Sequence, residues 1–165
     1  MINIIACEGQ SEVALIESLI EKGHSLKVEN IFMDKPIVAR QIQKYIPTIN
    51  LLPIDCKINI LRVGDTQKEE LSLSGLELRE EYITVQKYCT KPELEIIVII
   101  KENLFDKYCK NSNKIRPKQF VKRNIKEFDI NDYFKKNDMY YSLKEYKSLK
   151  QHKKNEEYLI DLFND

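Results

Sequence analysis

At 165 residues the chain has room for one ordinary core and not for two full domains. Its formal charge of +1 is near neutral, so overall charge does not announce a nucleic-acid binder. No apolar run approaches the roughly 20 residues needed to span a bilayer, and the start lacks a basic stretch followed by a small-residue cleavage site. A cytoplasmic protein with no membrane partner and no targeting sequence is expected.

The charge is unevenly spread. Residues 1–100 carry 11 Lys and Arg against 15 Asp and Glu, whereas residues 101–165 carry 16 against 11. Eight basic residues and no acid fall within 107–126. This asymmetry is a sign of a polyanionic partner, and equally of solvated helix faces. Cys7, Cys56, Cys89 and Cys109 have neither CxxC spacing nor a neighbouring histidine, so zinc and dithiol chemistry are not supported.

The chain opens on an apolar run of strand length, residues 2–7, broken by Glu8-Gly9-Gln10. From Ser11 the apolar positions change to helical spacing, with Val13, Ile16, Leu19 and Ile20 on one face and Gly23 as the stop. Ser11 is the expected N-cap, and Glu12 beside it suits the positive end of the helix. Glu8 therefore stands at the C-terminal tip of a buried strand, where open α/β sheets form their ligand crevice.

Residues 26–32 alternate as a second strand, and Pro36 opens a helix through Tyr45 that Pro47 stops. Residues 57–63 form a third strand ending at Gly64-Asp65, followed by a short acidic helix over 68–73. Residues 82–88 form a fourth strand. This alternation predicts an α/β fold with a mostly parallel four-stranded sheet flanked by helices.

Thr90 with Glu93 fits a capping box, and residues 96–100 continue as a helix although their β-branched run also suits a strand. Glu95 has no capping duty and leads straight into that run. Residues 111–165 read as a basic helical extension packed on the core of an α/β domain over 1–110. Within it Lys114, Arg116 and Lys118 suit phosphate neutralisation, with Lys91 upstream. The helices over 130–134 and 139–163 carry tyrosines beside leucines, a spacing that favours packing over base stacking.

Glu8 and Asp65, two acids at the tips of different strands, are what a Mg²⁺ or Mn²⁺ site in such a sheet requires, provided strands one and three are neighbours. Cys7-Glu8-Gly9-Gln10-Ser11-Glu12 and Asp65-Thr66-Gln67 together resemble the TOPRIM fold of topoisomerases, primases and OLD-type nucleases, closest to the small OLD-type and RloB-type bacterial phage-defence proteins. Pro92-Glu93-Leu94-Glu95 is similar to a Pro-x-x-Glu segment of some small relatives.

The resemblance implies that Glu8 takes part in metal and acid-base chemistry and that the Asp65 segment binds divalent metal. The family's Asp-x-Asp is reduced here to Asp-x-Gln, so Gln67 offers only a neutral oxygen and Glu12 or Glu95 would supply the missing carboxylate. The expectation is a Mg²⁺- or Mn²⁺-dependent nuclease acting on DNA or RNA. Glu8, Asp65 and Glu12 would hold metal, Glu95 would assist, and Lys91, Lys114, Arg116 and Lys118 would hold the strand. No GxxxxGK[ST] loop occurs in the sequence, so an ATPase partner would be a separate subunit. The alternative is a non-catalytic TOPRIM-like module that binds nucleic acid or a partner protein.

Overall fold

The first strand, β1 (Ile2–Cys7), lies at the middle of a sheet because every residue after Ile2 is buried, which requires cover on both faces. In a computed structural model that describes residues 1–65, 71–90, 93–149 and 157–164, β1 pairs on one side with β2 (Ile37–Val38) and on the other with β3 (Ile58–Gly64). Next come β4 (Ile83–Cys89) and β5 (Glu157–Tyr158). The sheet order is β2-β1-β3-β4-β5 and every pairing is parallel. The chain is thus an α/β protein with a five-stranded parallel sheet flanked by helices.

Pleating sends alternate residues to opposite faces and builds two cores. Ile5, Cys7, Leu61 and Val63 face the larger one, which they share with α1 (Gln10–Glu21), α3 (Glu95–Lys101), α5 (Pro117–Asn124), α6 (Ile130–Lys136) and α7 (Tyr140–Leu149). Ile4, Ala6, Ile58 and Ile60 face the smaller one, with Phe32, a 3-10 helix over Ala39–Tyr45 and α2 (Ile46–Asn50). The α4 helix (Phe105–Cys109) lies at the rim of the larger core. Residues 96–100 are buried all round, so tertiary cover overrides their β-branched preference. Among the described residues no helix is long and apolar enough to cross a membrane.

Several local expectations are corrected. Residues 26–32 form no strand: Ile31 makes one bridge to Asn3 and Leu26 another to Phe163, with left-handed backbone at Asn30, Met33 and Asp34. The edge place goes instead to the β-branched pair Ile37 and Val38, which align with Ala6 and Cys7 and so shorten the helix expected from Pro36. Pro47 starts rather than stops a helix, since a first turn has no partner for the missing N–H. The stretch 139–163 is not all helix, because Glu157 and Tyr158 align with Tyr88 and Cys89 and add a fifth strand. The acidic helix over 68–73 and much of the Lys-rich run 144–154 lie outside the described residues, although 71–73 are not helical.

The basic extension is tied to the sheet domain through α1. Ser18 Oγ donates to the Phe134 carbonyl at 2.5 Å, and Lys22 Nζ donates to the Lys135 carbonyl at 2.8 Å. Phe134 itself is fully buried in the larger core. Tyr88, Tyr108, Tyr140, Tyr146 and Tyr158 are buried there too, consistent with packing. Phe134→Ala is expected to cost about 3–5 kcal/mol, the cavity and transfer loss of a buried phenyl ring. Urea unfolding followed by circular dichroism measures it.

Candidate active site

The register of β1 on β3 decides what meets at the C-terminal edge. Cys7 aligns with Val63, so Glu8 and Gly64 come level, and the Glu8 N–H donates to the Val63 carbonyl at 2.8 Å. Glu8 Oε2 then accepts the Asp65 backbone N–H at 2.9 Å, joining two acids 57 positions apart in sequence. The adjacency of strands one and three on which the metal expectation depended is therefore present.

Gly64 is there because of this approach. A Cβ on it would stand 2.4 Å from Glu8 Oε2 and 2.9 Å from Glu8 Cβ, so only glycine leaves room for the carboxylate. The same Gly64 carbonyl accepts the Thr90 N–H at 3.1 Å, which ties the tip of β4 into the edge.

Helix α1 begins at Gln10 with Gly9 as N-cap, two residues earlier than the Ser11 cap expected. Glu12 folds back so that its Oε2 accepts the Gly9 N–H at 3.1 Å, the reciprocal half of a capping box. Glu12 has a structural duty, yet its pKa is pushed up, first by burial and then by the nearby charges of Glu8 and Asp65, against the lowering effect of the backbone bonds. The charges of Glu8 and Asp65 are thus close enough to act on Glu12.

A cleft of about 450 Å³ opens over this corner on the face of the larger core. Glu12, Asp65, Glu93 and Glu95 line it, and Arg116, the N-cap of α5, and Lys118 line it as well. Asp65 Oδ1 is buried and accepts no hydrogen bond from the described residues. A carboxylate oxygen in that state is costly, and a cation or a donor on a ligand relieves it. The donor set, hard carboxylate oxygens facing basic side chains, fits Mg²⁺ or Mn²⁺ with a phosphate, because Mg²⁺ needs only one or two protein carboxylates. Among the described residues, however, no group of three or more His, Cys, Asp or Glu is arranged to hold a metal ion.

Not every expected residue arrives. Glu8 accepts the Asp65 backbone N–H but lines a different cleft, of about 280 Å³, on the opposite sheet face. Lys114 is exposed in the loop before α5 and is not among the described lining residues. Lys91 and Gln67 lie outside the described residues. Glu93, assigned to a capping box with Thr90, is instead free of that duty: α3 starts at Glu95 with Leu94 as its N-cap, and Glu93 lines the cleft. Its position two residues before Glu95, in the same post-strand loop, was the available signal. Cys7 supplies no nucleophile, since burial, then Glu12 and Glu17, hold its thiol well above the ordinary range.

No family model matches the chain, and no curated protein or solved structure matches it. The functional reading rests on the residues themselves.

Two outcomes follow. Gly64→Ala is expected to cost about 1–3 kcal/mol as Glu8 is forced from the Asp65 amide, with part of the loss recovered in a Glu8→Gly background, both read by urea unfolding. For Glu12 the folded pKa lies above the ordinary 4.5, so ionisation opposes folding and stability falls as pH rises through that window. Glu12→Gln keeps an acceptor for the Gly9 amide. It should therefore unfold at a higher temperature than the parent at about pH 7 and lose that advantage below about pH 4, as followed by thermal melts across pH.

Proposed function

We propose that the chain is a Mg²⁺- or Mn²⁺-dependent phosphodiesterase acting on DNA or RNA, built on a TOPRIM-like sheet. The observation that carries the reading is one cleft with Glu12 from the first turn of α1 and Asp65 from the tip of β3, and with Arg116 and Lys118 beside them. Carboxylates alone would repel a nucleic acid. Basic side chains alone would bind it without hydrolysing it.

In this reading Asp65 and Glu12 would hold the metal, with Glu8 behind them fixing the Asp65 backbone. The ion, when bound, would neutralise phosphate charge and acidify water. Arg116 and Lys118 hold the phosphate and stabilise the charge that grows on its oxygens, a term usually large in phosphoryl chemistry. Glu95, at the first turn of α3, takes the proton of the attacking water, and Glu93 keeps that wall of the cleft acidic. Sequence selection is not part of the proposal. The resemblance to OLD-type and RloB-type proteins supports a cytoplasmic phage-defence setting and a separately encoded ATPase partner.

A second reading, a non-catalytic nucleic-acid-binding or regulatory module, is favoured by the absence of a three-acid metal cluster among the described residues. One experiment separates them. Mn²⁺ at 100 times its dissociation constant should stabilise the chain by about 2.7 kcal/mol in thermal melts, and Asp65→Asn and Glu12→Gln should lose most of that gain. Plasmid, single-stranded DNA and RNA should be hydrolysed by the parent in Mn²⁺ and at least about 100-fold more slowly by Asp65→Asn. Stabilisation by single-stranded DNA without hydrolysis selects the binding module, and equal Mn²⁺ response in all three chains removes the metal site.

A further inference from the structure

Helices α4 and α5 and the loop between them show a surface of one sign. All eight basic residues between 107 and 126 are exposed, and the interval holds no acid. Packing fixes the two helices against each other: the rings of Tyr108 and Phe120 meet edge to face at 5.2 Å, and Lys107 Nζ donates to Asn124 Oδ1 at 2.7 Å. The inward residues of α5 are Pro117, Phe120 and Val121, which leaves Lys118 and Lys122 stacked on its outward side one turn apart. Arg116 and Lys118 also line the cleft that holds Glu12 and Asp65, so the basic surface begins inside it.

The neighbouring α6 shows how an ordinary solvated face is charged. Its exposed acid, Asp132, is in the first turn and its exposed lysines, Lys135 and Lys136, are in the last, as the helix dipole favours. In α5 the last turn follows that rule with Lys122 and Arg123, but Arg116 at the N-cap and Lys118 in the first turn oppose the dipole, and no acid stands there. Lys118 and Lys122 also repel each other along the helix. Among the described residues none of the eight basic side chains is in an ion pair. Exposed charges of one sign, gathered and uncompensated, suit an external polyanion better than water alone.

We propose that the outward face of α5 and the loop before it form a track for a single strand of DNA or RNA, whose phosphates beyond the one in the cleft meet Lys122 along the helix and Lys114 in the loop. Glu93 and Glu95 line the same cleft, and their charge turns the strand away from them and toward α5. A flat anionic bilayer could touch the outer lysines but could not follow the charge into the cleft, whereas a strand can. The inference rests on the phosphodiesterase reading for the place of the scissile phosphate. Binding along the track needs no metal.

The test uses the full chain in EDTA, with fluorescence anisotropy of labelled oligothymidylates of about 4 and about 16 nucleotides over a range of salt. The longer strand should bind at least about tenfold more tightly than the shorter, because it reaches more lysines. Lys114→Gln and Lys122→Gln, both at exposed positions, should each weaken the longer strand about fivefold at about 0.1 M salt and lower the slope of log affinity against log salt by about 0.7. Lys44→Gln, at an exposed position on the 3-10 helix of the opposite sheet face, should match the parent. Equal affinity for the two lengths, unchanged slopes in Lys114→Gln and Lys122→Gln, or an equal loss in Lys44→Gln overturns the track. Capture by phosphatidylserine vesicles with no binding of either oligonucleotide overturns it too. The expected losses without hydrolysis in Mn²⁺ keep the track and sink the phosphodiesterase, whereas hydrolysis with unchanged slopes does the reverse.

Discussion

The hydrogen bond from the Asp65 amide to Glu8 Oε2 is the constraint on which the site depends. It forms only because β1 and β3 are parallel neighbours in one register, which brings their C-terminal tips level. It survives only because Gly64 has no side chain to occupy the same volume. Both faces of the strand pair are packed with isoleucine, leucine and valine, so a register slip would send each apolar set to the wrong core. The stiffness of that central pair fixes where the acids emerge.

The same corner is electrostatically uncomfortable. Glu12 is half-buried near the charges of Glu8 and Asp65, and a buried Asp65 oxygen accepts nothing from the described residues. Folding tolerates this because β1 and β3 carry large apolar burial and because backbone amides at Gly9 and Asp65 take up two carboxylate oxygens. Sites that bind cations or phosphate commonly store instability of this kind, which a ligand then relieves. The basic side chains that face it come from a different part of the chain, where Pro117 opens α5 and directs Arg116 and Lys118 into the cleft.

The sheet edge is thereby divided by charge. On one face acids predominate, with Arg116 and Lys118 among them, and on the other two arginines accompany Glu8.

Much of this was legible without coordinates. The runs at 2–7, 57–63 and 82–88 each form a strand within a residue of the expected bounds: β1 and β3 are buried along their length and leave a near-continuous apolar signature, whereas β4 is exposed over 84–87 and was legible from its β-branched and aromatic residues. Glu8, Glu12, Asp65 and Glu95 were visible as acids next to such runs. What residues 26–38 and 157–158 do was decided by pairing: short segments with weak patterns take whatever edge the long strands leave open, and Ile37 and Val38 fitted beside β1 better than the segment before them. Which cleft each charge serves was decided the same way. Side-chain parity on a strand and the packing angle of a helix send Glu8 with Arg62 to one face and Glu12 with Arg116 to the other, and neither is written in the spacing of a single chain.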